Sequence, residues 1–209
     1  HGAGARLKAL AAGDLGAEWL QRPGQRHGLA KIAAGVGVLR PQGAFGIVAV
    51  PPVALRRSVV PEVVADANVP ACVARGVHVI QLNLEEGLAL FDDHSFDVVL
   101  QLDTLQHLRN TQRMLQETAR VGRIGIVSFP NFAHWPNRLR VATGRMPVTK
   151  AMPYEWYDTP NMRFGTMADF EVLARKTGLK VTDRFGLQDG EVVRRWPNLL
   201  ASVAVFKFE

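Results

Sequence analysis

Short continuous apolar runs mark the strands of residues 67–209, the part of the chain with the clearest pattern. Runs of this kind are typical of strands buried on both faces of a sheet. They predict five strands, at residues 77–82, 96–102, 124–129, 179–185 and 202–208. Because the last two strands follow one another without an intervening helix, we expect an antiparallel pair at the end of the chain.

Helical spacing of apolar positions separates most of these strands. A helix over residues 111–121 is predicted to begin after Asn110, and another to begin at Thr166, which forms a capping pair with Asp169. A shorter helix is predicted at 67–75. Strands that alternate with helices indicate an α/β fold with a mostly parallel sheet and helices on both faces.

The amino-terminal third differs in composition from the rest. Residues 1–65 contain 28 glycine, alanine and proline residues and only two aromatic residues. A weak helical face at 6–20 and an apolar run at 45–50 are the elements that this segment predicts. We therefore divide the chain into an aberrant amino-terminal segment, residues 1–64, and a well-specified domain, residues 65–209.

Charge and cysteine content exclude several classes of function. The net charge is +6, but the excess is scattered through residues 1–65, whereas a nucleic-acid binder gathers its charge on one folded face. Cys72 is the only cysteine, so we expect no intrachain disulfide, no cysteine-based metal site and a cytoplasmic location. No apolar run reaches the roughly 18 residues of a membrane span. Neither nucleic acid, membrane nor metal is an expected partner.

The middle of the chain resembles the second half of a class I S-adenosylmethionine-dependent methyltransferase domain. This resemblance rests on VHVIQLNLEEG, on SFDVVLQL and on ETARVGRIGIVSFPN. The stretches GIVSFPNFAHWPNRL, GRMPVTKAMPYEWYDTPN and FGTMADFEVLA are in turn similar to the methionine biosynthesis protein MetW family. The resemblance covers residues 65–209 and implies a Rossmann-like, class I methyltransferase-like fold. It also implies a bacterial protein of methionine biosynthesis that supports homoserine O-acyltransferase.

Four cofactor-contacting residues follow from the resemblance. Asn83 and Leu84 stand where the family places its adenine contact, at the end of the strand at 77–82. Gln101 and Leu102 end the next strand, where backbone and side chains border the cofactor. A plain turn residue at Asn83 and plain strand residues at Gln101 and Leu102 remain alternatives. A lone histidine in the next loop, His107, is a weaker candidate for a general base.

The region before residue 65 departs from the family pattern. The resemblance implies a first strand that ends in an acidic, glycine-rich loop, but residues 35–46 read GVGVLRPQGAFG, and no acidic residue occurs from 33 to 60. We therefore expect S-adenosylmethionine to bind this chain weakly or not at all, and the first βα unit to be aberrant or missing. A wrong-frame translation of residues 1–64 explains both the composition and the missing motif, and a diverged amino terminus is the alternative.

The stretch GRMPVTKAMPYEWYDTPN, residues 144–161, is the most unusual in the chain. Its three prolines preclude a regular helix or a central strand. Tyr154, Trp156, Tyr157 and Asp158 give it a large amphipathic surface, which either caps a pocket or binds a partner. Two functions remain open: an accessory protein for homoserine O-acyltransferase, and a methyltransferase that acts on a small molecule.

Overall fold

The computed structural model describes residues 45–50, 58–63 and 78–209. Eight strands in these ranges form one sheet in the order β3-β1-β2-β4-β5-β8-β6-β7. The strands are β1 (Phe45–Val50), β2 (Ser58–Val63), β3 (His78–Asn83), β4 (Phe96–Leu102), β5 (Gly122–Pro130), β6 (Val181–Gln188), β7 (Glu191–Val193) and β8 (Val203–Phe208). The helices are α1 (Thr111–Val121), α2 (Trp135–Ala142), α3 (Met167–Lys176) and α4 (Pro197–Leu200).

Strand order and direction confirm the α/β fold and make the sheet more mixed than predicted. β2, β4 and β5 are neighbours and run parallel. β1 runs antiparallel to both β2 and β3, and β8 runs antiparallel to both β5 and β6, which confirms the predicted terminal pair. After β2 the chain continues to β3 on one side of the sheet, and after β4 it continues to β5 on the other side. The strand order therefore reverses between β2 and β4, as in Rossmann-like sheets.

The caps that the sequence predicts are formed. The Oδ1 atom of Asn110 accepts the N–H of Arg113 at 3.1 Å, and α1 spans the predicted residues 111–121. The hydroxyl of Thr166 accepts the N–H of Asp169 at 3.1 Å and starts α3. Each cap satisfies an N–H group that the first helical turn leaves without a partner.

Several predictions fall on residues that the structure does not describe. The helices at 6–20 and 67–75 lie there, as does most of the glycine-rich stretch 35–46. The predicted strand at 45–50 is present as β1. The boundary at residue 65, and the prediction of helices on both faces, remain predictions.

The main core lies between the sheet and the helices α1 and α3. The ring of Phe206 on β8 lies 4.4 Å from the ring of Phe170 on α3 and stacks parallel to the ring of Phe129 on β5 at 6.0 Å. Leu115 of α1 is fully buried in the same cluster. A second apolar cluster covers the opposite face of β4, β5, β6 and β8. The central strands are therefore buried on both faces, which is why they read as continuous apolar runs.

Candidate functional site

The carboxyl ends of β4 and β5 meet at one edge of the sheet, where ligands bind in folds of this kind. Leu102 pairs with Ser128 at the ends of these strands. The chain then turns at Asp103, which has a φ of 52° and donates its backbone N–H to the carbonyl of Ser128 at 3.1 Å. Asp103 contacts solvent, but the protein around it reduces the hydration of its carboxylate and raises its pKa to about 6.

Asn83 and Leu84 are engaged within their own turn. Asn83 caps the 3-10 helix Leu84–Glu86: its Oδ1 atom accepts the N–H of Glu85 at 3.1 Å, and its Nδ2 atom donates to the carboxylate of Glu86 at 2.9 Å. The side chain of Leu84 is buried in the main core. Both side chains therefore make their contacts within the chain.

Gln101 faces α1, away from the carboxyl edge of the sheet. It is fully buried, and its Nε2 atom donates to the hydroxyl of Thr118 at 2.5 Å. Leu102 is half-buried and packs against the second apolar cluster. As placed, the side chains of Asn83, Leu84 and Gln101 are engaged by contacts within the chain, and we derive no step through S-adenosylmethionine. The cofactor contacts predicted from sequence stay predictions.

His107 anchors the unusual loop. It ends the 3-10 helix Leu105–His107, and its Nδ1 atom lies 3.2 Å from the carbonyl oxygen of Pro160. Burial lowers its pKa below the ordinary value, although the contact with Pro160 acts in the opposite direction. The structure therefore gives His107 a role in holding the loop.

In the structure the loop continues to Gly165, and backbone hydrogen bonds fix this last part against the sheet. The carbonyl of Gln106 accepts the N–H groups of Met162 and Arg163 at 2.9 and 3.1 Å, and the carbonyl of Gly165 accepts the N–H of Phe132 at 2.9 Å. Thr149 and Met152 form an isolated pair that closes a tight turn in the first half. The loop therefore has a defined path over the edge of the sheet.

The four residues predicted to cap a pocket or bind a partner lie mostly in solvent. Trp156 is 69% exposed and Tyr157 is 71% exposed, and their rings meet edge to face at 5.8 Å. Asp158 is exposed and Tyr154 is half-buried. Other residues of the loop cover the space beneath it, so this placement favours contact with a partner over lining a pocket.

Asn131 ties the end of β5 to the segment around α4. It is fully buried. Its Nδ2 atom donates to the carbonyls of Ala201 and Asn198 at 2.9 and 3.1 Å, and its Oδ1 atom accepts the N–H of Ala133 at 3.2 Å. Asn137 donates to its backbone carbonyl at 3.2 Å. The start of α2 is held in this way.

Sequence reasoning missed α2 as an element and as a surface. Asn137 is its only buried residue, so the helix lacks the apolar face that periodicity detects. Trp135 and Leu139, which stand four residues apart on one side of the helix, are 52% and 58% exposed. Pro136 in the first turn, after β5 has ended at Pro130, was the available sequence signal for a helix start.

A cavity of about 330 Å³ lies beneath the loop, between the start of α1, the end of β5 and the helix α3. Its walls are mostly apolar, and Arg163 and Asp169 stand among its lining residues. In the described ranges we find no cluster of three side chains suited to hold a metal, and no helix long and apolar enough to cross a membrane.

Comparison with known proteins identifies the family. The family model for the methionine biosynthesis protein MetW matches residues 62–208. The chain belongs to the MetW family. This confirms the family resemblance of residues 65–209, including the loop at 144–161. The family is described as that of a methionine biosynthesis protein.

A curated relative and two solved structures are similar to this MetW-family chain. The bifunctional methionine biosynthesis protein MetXA/MetW of Rhodopirellula baltica is 37% identical over 151 residues, which are 69% of this chain and 24% of the relative. The chain thus spans about a quarter of that relative's length. A methyltransferase of Thermotoga maritima is 20% identical, with a TM-score of 0.38 and coverages of 56% and 57%. The magnesium protoporphyrin IX methyltransferase of Synechocystis is 17% identical, with a TM-score of 0.34 and coverages of 54% and 44%.

Proposed function

We propose that this MetW-family chain supports methionine biosynthesis by docking on a homoserine O-acyltransferase. The observation that carries the proposal is the exposed pair Trp156 and Tyr157, which belongs to the stretch most characteristic of the family. Large aromatic side chains are costly to leave in water and are the residues that dominate binding energy at protein interfaces. The name of the Rhodopirellula relative, which joins MetXA and MetW in one chain, supports a partner of this kind.

The exposed apolar surface is concentrated in the segment 135–157. Six of the thirteen large apolar side chains exposed in the described part of the chain belong to it: Trp135, Leu139, Val141, Met146, Trp156 and Tyr157. Soluble proteins rarely expose such side chains in groups without a partner. The segment therefore supplies the apolar part of the proposed docking surface.

The same segment carries a net positive charge, which indicates the charge expected on the partner's surface. Residues 135–157 contain one acidic residue, Glu155, and four basic residues: Arg138, Arg140, Arg145 and Lys150. Charge complementarity steers encounter and suppresses wrong partners. We therefore expect the acyltransferase to present an apolar patch with an acidic rim.

Binding to immobilised homoserine O-acyltransferase from the same genome tests the proposal. We expect the Trp156→Ala/Tyr157→Ala double variant to bind at least tenfold more weakly, because interface aromatics contribute about 2 kcal/mol or more each at hot spots. Leu90→Ala is the matched control. Leu90 is 68% exposed and precedes β4, at the opposite edge of the sheet. Equal affinities for the wild type and the double variant, or an equal loss in the control, would contradict the proposed surface.

A further inference from the structure

The cavity beneath the loop has the lining of a small-molecule site. Its volume of about 330 Å³ lies at the lower end of the range for ligand pockets. Six apolar side chains contributed by the 3-10 helix, β5, the loop and α3 form its walls: Leu105, Phe129, Met152, Phe164, Phe170 and Leu173. A volume and lining of this kind suit a small ligand with an apolar body.

Two opposite charges line the same cavity. Arg163 comes from the loop and Asp169 from the first turn of α3. Among the described residues, neither side chain forms an ion pair with an oppositely charged partner. The guanidinium of Arg163 donates only to the carbonyls of Met162 and Arg109, and the carboxylate of Asp169 accepts from the hydroxyl of Thr166. Both charges retain bonding capacity for a ligand.

Both charges are held in place by hydrogen bonds, Arg163 by backbone carbonyls and Asp169 by the hydroxyl of Thr166. The N–H of Arg163 bonds to the carbonyl of Gln106, and its Nη2 atom donates to the carbonyl of Arg109 at 3.0 Å, so the loop and its guanidinium are tied to the segment after β4. Asp169 is fixed by the capping pair with Thr166, in which its Oδ2 atom accepts the hydroxyl at 2.7 Å. Charges held in this way bind a complementary ligand with little loss of side-chain entropy.

Gln106 adds a polar group to the lining. Its side chain is 7% exposed, and its Oε1 atom has no hydrogen-bond partner among the described residues. A buried amide oxygen without a partner is costly, and a hydrogen bond from a ligand in the adjoining cavity would offset that cost. The polar groups thus offer a cation, an anion and an acceptor beside an apolar wall.

We propose that this cavity binds a free α-amino acid with an unbranched apolar side chain. Arg163 receives the carboxylate, Asp169 receives the ammonium group, and the apolar walls receive the side chain. A zwitterion matches the two charges at once, whereas a purely apolar ligand leaves both unused. The inference concerns a ligand and does not depend on the docking surface, because neither charged residue belongs to that surface.

Isothermal titration of the full chain with L-methionine and L-norleucine tests the site. We expect both to bind with a Kd on the order of 0.1 mM, because ligands with so few heavy atoms reach modest affinities. Methioninol lacks the carboxylate and 4-(methylthio)butanoate lacks the ammonium group. Each should bind at least about tenfold more weakly than L-methionine, as expected for the loss of one charge-assisted hydrogen-bonded contact.

Two conservative variants connect the binding to the residues. Arg163→Gln should weaken the binding of L-methionine about fivefold or more and leave the affinity for methioninol unchanged. Asp169→Asn should weaken the binding of L-methionine and leave the affinity for 4-(methylthio)butanoate unchanged. Both residues are exposed, so the variants should fold normally, which circular dichroism checks. No binding of L-methionine or L-norleucine by the wild type at 10 mM, or binding that both variants retain, would overturn the inference. Acyltransferase binding is measured separately with the Trp156 and Tyr157 variants, so the two proposals fail independently.

Discussion

Replacement of Asn131 by alanine should cost more stability than the loss of an ordinary surface hydrogen bond. The side chain makes three hydrogen bonds in a fully buried position, to the carbonyls of Ala201 and Asn198 and to the N–H of Ala133. Alanine provides no partner for these backbone groups. The segment around α4 and the start of α2 lose their common anchor.

The magnitude follows from the number of bonds. A typical intramolecular hydrogen bond contributes about 1 kcal/mol net, and an unsatisfied buried group costs about 1–3 kcal/mol. Three bonds therefore predict a loss of about 3 kcal/mol in the free energy of unfolding. For a chain of this size, that loss lowers Tm by about 6–12 °C.

Urea denaturation followed by far-ultraviolet circular dichroism measures the difference. The midpoint should fall while the m-value stays constant, because the same surface is exposed on unfolding. Asn110→Ala is the matched control, since it removes one capping bond and should cost about 1 kcal/mol. A loss of less than about 1 kcal/mol for Asn131→Ala would refute the assignment of Asn131 as the anchor.

Three further predictions concern packing and titration. Gly125→Ala should cost about 1–3 kcal/mol by thermal unfolding, because its Cβ atom would lie 2.4 Å from the ring of Phe208; an unchanged Tm would contradict this packing. Arg120→Gln should cost about 2 kcal/mol at pH 7. The hydrogen bonds from Arg120 are the largest cause that lowers the pKa of Glu117, so the stability that Glu117 contributes is present above its unfolded-state pKa and is lost as pH falls through the folded-state value. Arg120→Gln should therefore reduce this loss of unfolding free energy on acidification, and an unchanged loss would contradict the pairing, although the N–H of Leu88 still donates to Glu117. Burial lowers the pKa of His107, because the folded protein disfavours the charged imidazolium. The stability that neutral His107 contributes is therefore complete above its unfolded-state pKa of about 6.5 and is lost as pH falls below it. The His107→Gln variant should therefore show a smaller difference in unfolding free energy between pH 7.5 and pH 5, and an unchanged difference would refute this role.

Much of the domain was predictable because local signals agree with tertiary packing. Helix α1 has the predicted bounds since a capping asparagine precedes it and Met114, Leu115, Thr118 and Val121 form its buried face. β4 is predicted to the residue because it is buried on both faces. Where local and tertiary requirements coincide, the pattern is sufficient.

The reversed strand β1 and the helix α2 show where such signals fail. An apolar run has no direction, so the antiparallel placement of β1 between β2 and β3 depends on the sheet as a whole. Helix α2 is attached through polar contacts at its start, and its apolar residues face solvent. Periodicity predicts burial, and this helix has almost none.

The candidate site was predictable only in part. The loop at 144–161 stood out because its prolines and aromatic residues are not required by any regular element. The cavity was not predictable, because Arg163, Asp169 and Phe129 become neighbours only when the loop folds over β5 and α3. Asn83 and Gln101 were predicted from the family resemblance, but the orientations of their side chains follow from local contacts with Glu85 and Thr118.

The rate of acyl-homoserine formation by purified homoserine O-acyltransferase, with and without this chain, tests the proposed function most directly. We predict that an equimolar amount of the wild-type chain raises the rate, and that the Trp156→Ala/Tyr157→Ala variant, folded by circular dichroism, does so only at concentrations at least tenfold higher. An acyltransferase rate that is the same with and without the wild-type chain, at concentrations far above any measured Kd, would contradict it.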